Sequence, residues 1–128
     1  MAGLVGMAGE RADPRIVGEM CRVLTHRGRH ETRAIWGPGH AMACCLTRGI
    51  DRLDQPLAAA GRKLFIDGVL FPRSSKLEDL GGMEEWIAER LALCCEPQDY
   101  VGFLGQLDGA FAIAVVAEDS GSLYLGRD

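Results

Sequence analysis

Ala110-Phe111-Ala112-Ile113-Ala114-Val115-Val116-Ala117 is the stretch on which the fold turns. At a period of two, Phe111, Ile113 and Val115 share one side of a strand and alanines line the other. A strand apolar on both faces must be covered on both, so it belongs inside a layered structure. Asp108-Gly109 leads into it. Asp119-Ser120-Gly121 then turns the chain into a strand over residues 122–126, completing an antiparallel hairpin.

Outward from this hairpin, the chain alternates between the two periodicities. Residues 2–7 read as a short buried strand, with Gly3 and Gly6 marking close approach of neighbours. Asp13-Pro14 is a helix start, with Asp as N-cap and Pro at the first helical position. Ile16, Val17, Met20, Cys21 and Leu24 follow at helical spacing, and Gly28 can end the element. Residues 32–36 and 41–47 read as two strands joined by the Gly37-Pro38-Gly39 turn. A polar stretch through Asp54-Gln55-Pro56 follows. Residues 63–71 read as a bent or paired extended segment interrupted at Asp67-Gly68, a turn dipeptide. Residues 72–82 read as a loop. A second helix over residues 83–95 places Ile87, Leu91, Cys94 and Cys95 on one face. Pro97 starts a shorter helix carrying Tyr100, Phe103 and Leu104. The layout is α+β, with two sheets and flanking helices in one domain, residues 1–128.

Composition narrows the function classes. A hydrophobic fraction of 48% with 25% charged residues is that of an ordinary globular domain. The net charge of −4 argues against nucleic acid as the main partner. The Arg27, Arg29 and Arg33 cluster, with Glu31 inside it, reads as a solvated loop. No charged n-region or sustained apolar core opens the chain, and no apolar run approaches the roughly 20 residues of a membrane span, so a cytoplasmic protein without membrane contact is expected. The cysteines are Cys21, Cys44, Cys45, Cys94 and Cys95, an odd set that makes a poor disulfide framework. A metal reading would recruit His26, His30, His40 and Cys44, but their spacing matches no standard zinc pattern. Buried reduced thiols are the better reading.

Several fragments, taken together and in order, resemble class II glutamine amidotransferases of the asparagine synthetase branch. Met1-Ala2-Gly3-Leu4-Val5-Gly6 resembles that family's M-C-G-I-x-G start, and Thr25-His26-Arg27-Gly28 resembles its L-x-H-R-G-P-D segment. Gln55-Pro56 fits the Q-P of the family, and Phe65-Ile66-Asp67-Gly68-Val69 stands where the family has F-N-G-E. Leu107-Asp108-Gly109-Ala110-Phe111-Ala112 resembles L-x-G-x-F-A, and Leu123-Tyr124-Leu125-Gly126-Arg127-Asp128 resembles L-x-L-A-R-D. The resemblance implies an N-terminal-nucleophile (Ntn) hydrolase-like αββα sandwich of two antiparallel sheets flanked by helices, shortened at its C-terminus relative to the family. It also implies a partner: a synthetase domain or subunit that uses ATP and magnesium, neither of which this chain is expected to bind. A second copy of the chain is the other expected partner.

The resemblance also assigns roles, and the residues that should fill them are changed. Ala2 stands where the family has its nucleophilic Cys, and a methyl group cannot attack an amide. Asp67 stands in place of the Asn that helps bind the oxyanion, where a carboxylate would repel developing negative charge. Gly68 keeps its backbone N–H. Val69 replaces a Glu and Gly82 falls near an Asp, the two acids that hold the substrate α-amino group in the family. Arg48 is the match for the arginine that holds the substrate carboxylate, and reads equally as a surface residue at a strand end. His26 and Arg27 read as structural. Cys21, Cys44 or Cys45 could be considered as a relocated nucleophile, but none has a neighbouring cue for activation.

Positions that need only shape persist, while positions that need chemistry are altered. The expectation is therefore a degenerate glutaminase-like domain, serving as scaffold or docking module for an amide-forming synthetase. A working glutamine-hydrolysing amidotransferase that has lost only its nucleophilic thiol, with Ala2 in its place, is one alternative, against which Asp67, Val69 and Gly82 weigh. A binding or regulatory module that reuses the pocket for a more apolar, less cationic ligand is another.

Overall fold

Residues 110–117 lie in the middle of a four-stranded sheet, covered on both faces. A computed structural model describes residues 3–27, 31–47, 54–74 and 82–128. In chain order these form β1 (Gly3–Ala8), α1 (Pro14–Val23) with a 3-10 turn at Leu24–His26, β2 (Glu31–Gly37), β3 (His40–Leu46), β4 (Leu57–Ala59), β5 (Arg62–Pro72), α2 (Met83–Leu93), α3 (Pro97–Gly105), β6 (Leu107–Ala117) and β7 (Ser122–Arg127). The strands make two antiparallel sheets, in the orders β1-β3-β2 and β4-β5-β6-β7.

Period-2 alternation sorts the side chains into three cores. Met42, Cys44 and Leu46 of β3 meet Phe65, Ala114 and Val116 of β5 and β6, with Leu4, Ile35 and Leu123 packed against them. This is the interior between the sheets. The alternate residues Ala41, Ala43 and Cys45, with Val5, receive Val17 and Cys21 of α1 on the outer face of the three-stranded sheet. On the outer face of the other sheet, Leu64, Ile66, Ile113 and Val115 receive Ile87, Leu91, Tyr100 and Phe103 of α2 and α3. The layers thus run helix, sheet, sheet, helix. Every residue of β3 is buried, because that strand is central in its sheet and covered on both sides.

The α1 start is as its sequence dictates. Asp13 accepts the Arg15 backbone N–H at 2.8 Å, and Pro14 opens the first turn. The Arg15 side chain and that backbone bond hold the Asp13 carboxyl below its usual range. Gly6 also behaves as expected, since a Cβ there would lie 1.8 Å from the Met42 sulfur.

Four expectations are corrected. Asp67-Gly68 is not a turn: β5 runs unbroken from Arg62 to Pro72, paired with β6 in one register. Asp108-Gly109 likewise lies within β6 rather than ahead of it. The second helix ends at Leu93, with Cys94 as its C-cap, and Cys95 is exposed rather than on the buried face. Arg33 is not in a loop; it sits in β2 and pairs with Glu31 at 2.6 Å and Asp54 at 3.5 Å. The expected end of α1 at Gly28 lies outside the described residues, as do most residues of the expected loop over 72–82.

One buried polar group does what a strand would. Continuing the Leu57↔Leu64 register backwards sets Gln55 opposite Ile66. There the Gln55 side chain accepts the Ile66 backbone N–H at 2.7 Å, and its amide donates to the Ile66 carbonyl at 2.9 Å. Gln55 is 4% exposed, so neither backbone group has water to turn to when the side chain is removed. Gln55→Ala is expected to cost about 2–4 kcal/mol, read as a lowered urea midpoint at unchanged slope; a loss under about 1 kcal/mol contradicts this role.

Candidate functional site

The two sheets part at one end and leave a gap between β1 and β7. It is an open cleft of about 400 Å3 beside β1, floored by Ala112 and Ala114 of β6, walled by Leu4 and Met42, and rimmed by Leu123, Leu125 and Arg127 of β7. Small residues make it: where Ala112 and Gly6 stand, larger side chains would close it. Arg127 is the one ionisable side chain among its lining residues.

Asp67 borders this cleft, because it pairs with Ala112 across the β5–β6 ladder and shares the inward face with Phe65. The Arg27 guanidinium reaches it from the turn after α1, with Nη2 3.2 Å from Oδ2. This ion pair ties the turn after α1 on one sheet to β5, an inner strand of the other. Asp67 is 15% exposed and Arg27 39%, so the pair carries only about 0–1 kcal/mol of stability. Its geometric consequence is larger. The carboxylate at the expected oxyanion position is already held by a cation.

Gly68 sits at φ +105°, and a Cβ there would lie 2.2 Å from the Ala110 carbonyl oxygen. Gly109, which pairs with Leu70 two positions along the ladder, has φ +124° and the same approach to the Val69 oxygen. These glycines bring the two backbones together around Val69↔Ala110. Val69 is 65% exposed on the strand. Gly82 precedes α2, whose buried residues pack in the outer helix layer, and nothing lies within 4 Å of where its Cβ would be. The structure thus brings Asp67, Gly68 and Val69 together on β5, and no described contact links Gly82 to them. Ala2 and Arg48 lie outside the described residues.

None of the thiols weighed as a relocated nucleophile lines the cleft. Cys21 and Cys45 face each other between α1 and β3, the Cys45 thiol donating to the Cys21 carbonyl at 3.7 Å. Burial, and then the neighbouring Cys45, push the Cys21 thiol up to about 11, so it stays protonated. Cys44 is fully buried between the sheets. Of the residues considered for a metal, His26 is exposed with Nδ1 3.1 Å from the Val23 carbonyl, while His40 is buried at the start of β3. His30 lies outside the described residues. Among the described residues no group of three or more His, Cys, Asp or Glu converges as metal ligands, and no helix is long and apolar enough to cross a membrane.

Two participants escape a sequence reading. Arg27 reads as a structural residue, yet it is the partner of Asp67, 40 positions away, and nothing local signals that distance. The cleft rim at Leu123, Leu125 and Arg127 has a local signal, the period-2 alternation of β7, but its exposure depends on how far the facing sheet extends. No family model matches the chain, and no curated protein matches it.

Proposed function

We propose that this chain is a glutaminase-like domain that has lost hydrolysis and serves as a scaffold or docking module for an ATP-dependent, amide-forming synthetase domain of the asparagine-synthetase type. One observation carries the reading. The opening between the sheets, beside the N-terminal strand, is lined by apolar side chains and one arginine, with no thiol or hydroxyl among its lining residues. Amide hydrolysis needs a nucleophile and a group to take its proton. Ala2 supplies neither from its side chain, and the Asp67 carboxylate beside the cleft is held by Arg27. The helix–sheet–sheet–helix layering supports the Ntn-hydrolase-like architecture that the sequence resemblance implies. ATP and magnesium act in the partner domain; this chain contributes the surface on which that domain docks.

Glutamine turnover by the purified chain is the test, alongside Ala2→Cys. Neither protein is expected to release ammonia above background, and Ala2→Cys is not expected to be labelled by a glutamine-analogue electrophile. Hydrolysis by the unaltered chain overturns the reading. Recovery on Ala2→Cys would instead identify an amidotransferase that lacks only its nucleophile.

A second reading, a small-molecule binding module, is favoured by the same apolar cleft. Its ligand is apolar and not cationic, because Arg127 stands at the rim and no carboxylate is among the lining residues. Calorimetry with free amino acids and apolar peptides separates the two readings, since a scaffold binds none of them.

A further inference from the structure

We infer that Cys21 and Cys45 form a reversible disulfide latch, which fastens α1 to the outer face of the three-stranded sheet when a peroxide is present. The two residues are 24 positions apart in the chain, and only the packing of α1 on β3 brings them together. Period-2 alternation in β3 decides which cysteine is available: Cys44 faces the interior between the sheets, and Cys45 faces α1. On the helix, the buried residues are Val17 and Cys21, one turn apart on the same side. Cys94 packs in the other helix layer, with Cys95 exposed next to it.

A disulfide asks for Cα atoms about 4.4–6.8 Å apart. A helix comes that near to a strand only over small side chains, and the outer row of β3 is Ala41, Ala43 and Cys45. The Cys45 sulfur lies 3.7 Å from the Cys21 carbonyl oxygen, against the helix backbone itself. Its thiol is also near enough to the Cys21 thiol to oppose ionisation there. Neither residue lines the cleft, and neither belongs to a group of metal ligands among the described residues. The chemistry that two adjoining thiols have, and two packed aliphatic groups lack, is oxidation to one another.

In the closed fold the pair is protected. Both residues are buried, and burial together with the neighbouring Cys45 holds the Cys21 thiol up at about 11, so little thiolate is present at neutral pH. Lifting of α1 removes that protection. The helix is fastened through Val17 and Cys21, while Ile16, Met20 and Val23 on it are exposed, so it is an element that opens locally before the sheets do. Once in water, the Cys21 thiol loses its proton and its sulfur attacks one peroxide oxygen. The O–O bond breaks, the leaving hydroxide takes up that proton as water, and a sulfenic acid remains. The Cys45 sulfur then attacks the Cys21 sulfur as α1 settles back. The S–S bond forms, the S–O bond breaks, and the departing hydroxide takes the Cys45 proton as a second water. The cysteines give up two electrons and two protons, and the peroxide accepts both. A dithiol reductant reverses the bond by exchange. The latch bears on the cleft side as well, because α1 runs on through the 3-10 turn to Arg27, whose guanidinium is 3.2 Å from the Asp67 carboxylate.

The test treats the full chain carrying Cys95→Ser, which removes the exposed thiol, with hydrogen peroxide, then denatures and alkylates it. A mass lower by two hydrogens is expected, with the tryptic peptide of residues 16–22 joined to that of residues 34–48. The urea midpoint should rise on oxidation and return with dithiothreitol. Cys21→Ala and Cys45→Ala should each show neither change, whereas Cys44→Ala should show both. Urea curves of the reduced variants establish that each is folded. Val17→Ala, whose helix is held less firmly, should form the bond at least about fivefold faster. The inference is overturned if Cys21 and Cys45 are both alkylated after peroxide, or if the bond forms to Cys44 or between chains. An unchanged rate in Val17→Ala overturns the opening of α1 as its route.

Discussion

Gly68→Ala should remove a large share of the stability of this domain, at a position where a single methyl group is added on a strand. The Cβ would sit 2.2 Å from the Ala110 carbonyl oxygen and 3.0 Å from the Phe111 Cα, both backbone atoms of the neighbouring strand. A flexible side chain could turn away from such a contact; a ladder cannot without breaking its hydrogen bonds. The φ of +105° adds a conformational cost that any L-side chain meets there. Together these are expected to cost about 3–5 kcal/mol, a large share of the 5–15 kcal/mol typical of a domain. Gly109→Ala should behave alike, because its Cβ meets the Val69 oxygen at the same 2.2 Å. Chemical denaturation gives the size, and amide exchange on Asp67 and Ala112 shows whether the ladder opens locally first. Stability within about 1 kcal/mol of the parent sinks the account of these glycines.

The same two glycines mark where sequence reading stops short. Asp67-Gly68 and Asp108-Gly109 are turn dipeptides by composition, and a positive φ is what a turn asks of glycine. Here the positive φ serves a close backbone approach between two long strands, and only the partner strand's position tells these uses apart. The β4 strand is equally hard to see, since Leu57–Ala59 is three residues long and takes its conformation from β5. Elements with their own local chemistry are legible: the Asp13-Pro14 start of α1, the Met83 helix and the doubly apolar β6. At the site, Asp67 is readable in the sequence only through the resemblance, which expects an amide there. Its pairing with Arg27 is not, because the turn after α1 and the middle of β5 meet only through the packing of the sheets. Gln55 is likewise a polar residue in a polar stretch until Ile66 is placed opposite it. Cys95 falls outside the core because the helix stops early, with the Asp99 carboxylate accepting the backbone N–H groups of Cys95 and Glu96 to begin α3 instead.

Phe65→Ala is expected to cost about 3–5 kcal/mol, and the reason lies in what surrounds it. Phe65 is fully buried between the sheets, and it is the one aromatic residue in that layer's core among the described residues. Its neighbours Cys44 and Ala114 are small, and Met42 is already committed to the space over Gly6. All of them stand on strands fixed by their ladders. The walls therefore have little with which to fill a lost ring, and the cost falls near the upper part of the range for a buried large-to-small change. Phe65→Leu, which keeps most of the volume, should cost less than about half as much. Leu125→Ala supplies the contrast on the same inward side: at 72% exposure it should leave the protein within about 0.5 kcal/mol of the parent. Urea denaturation of the three variants against the parent gives the sizes. If Phe65→Ala costs no more than Leu125→Ala, the two sheets are not packed through Phe65 and the cleft beside it has no rigid floor.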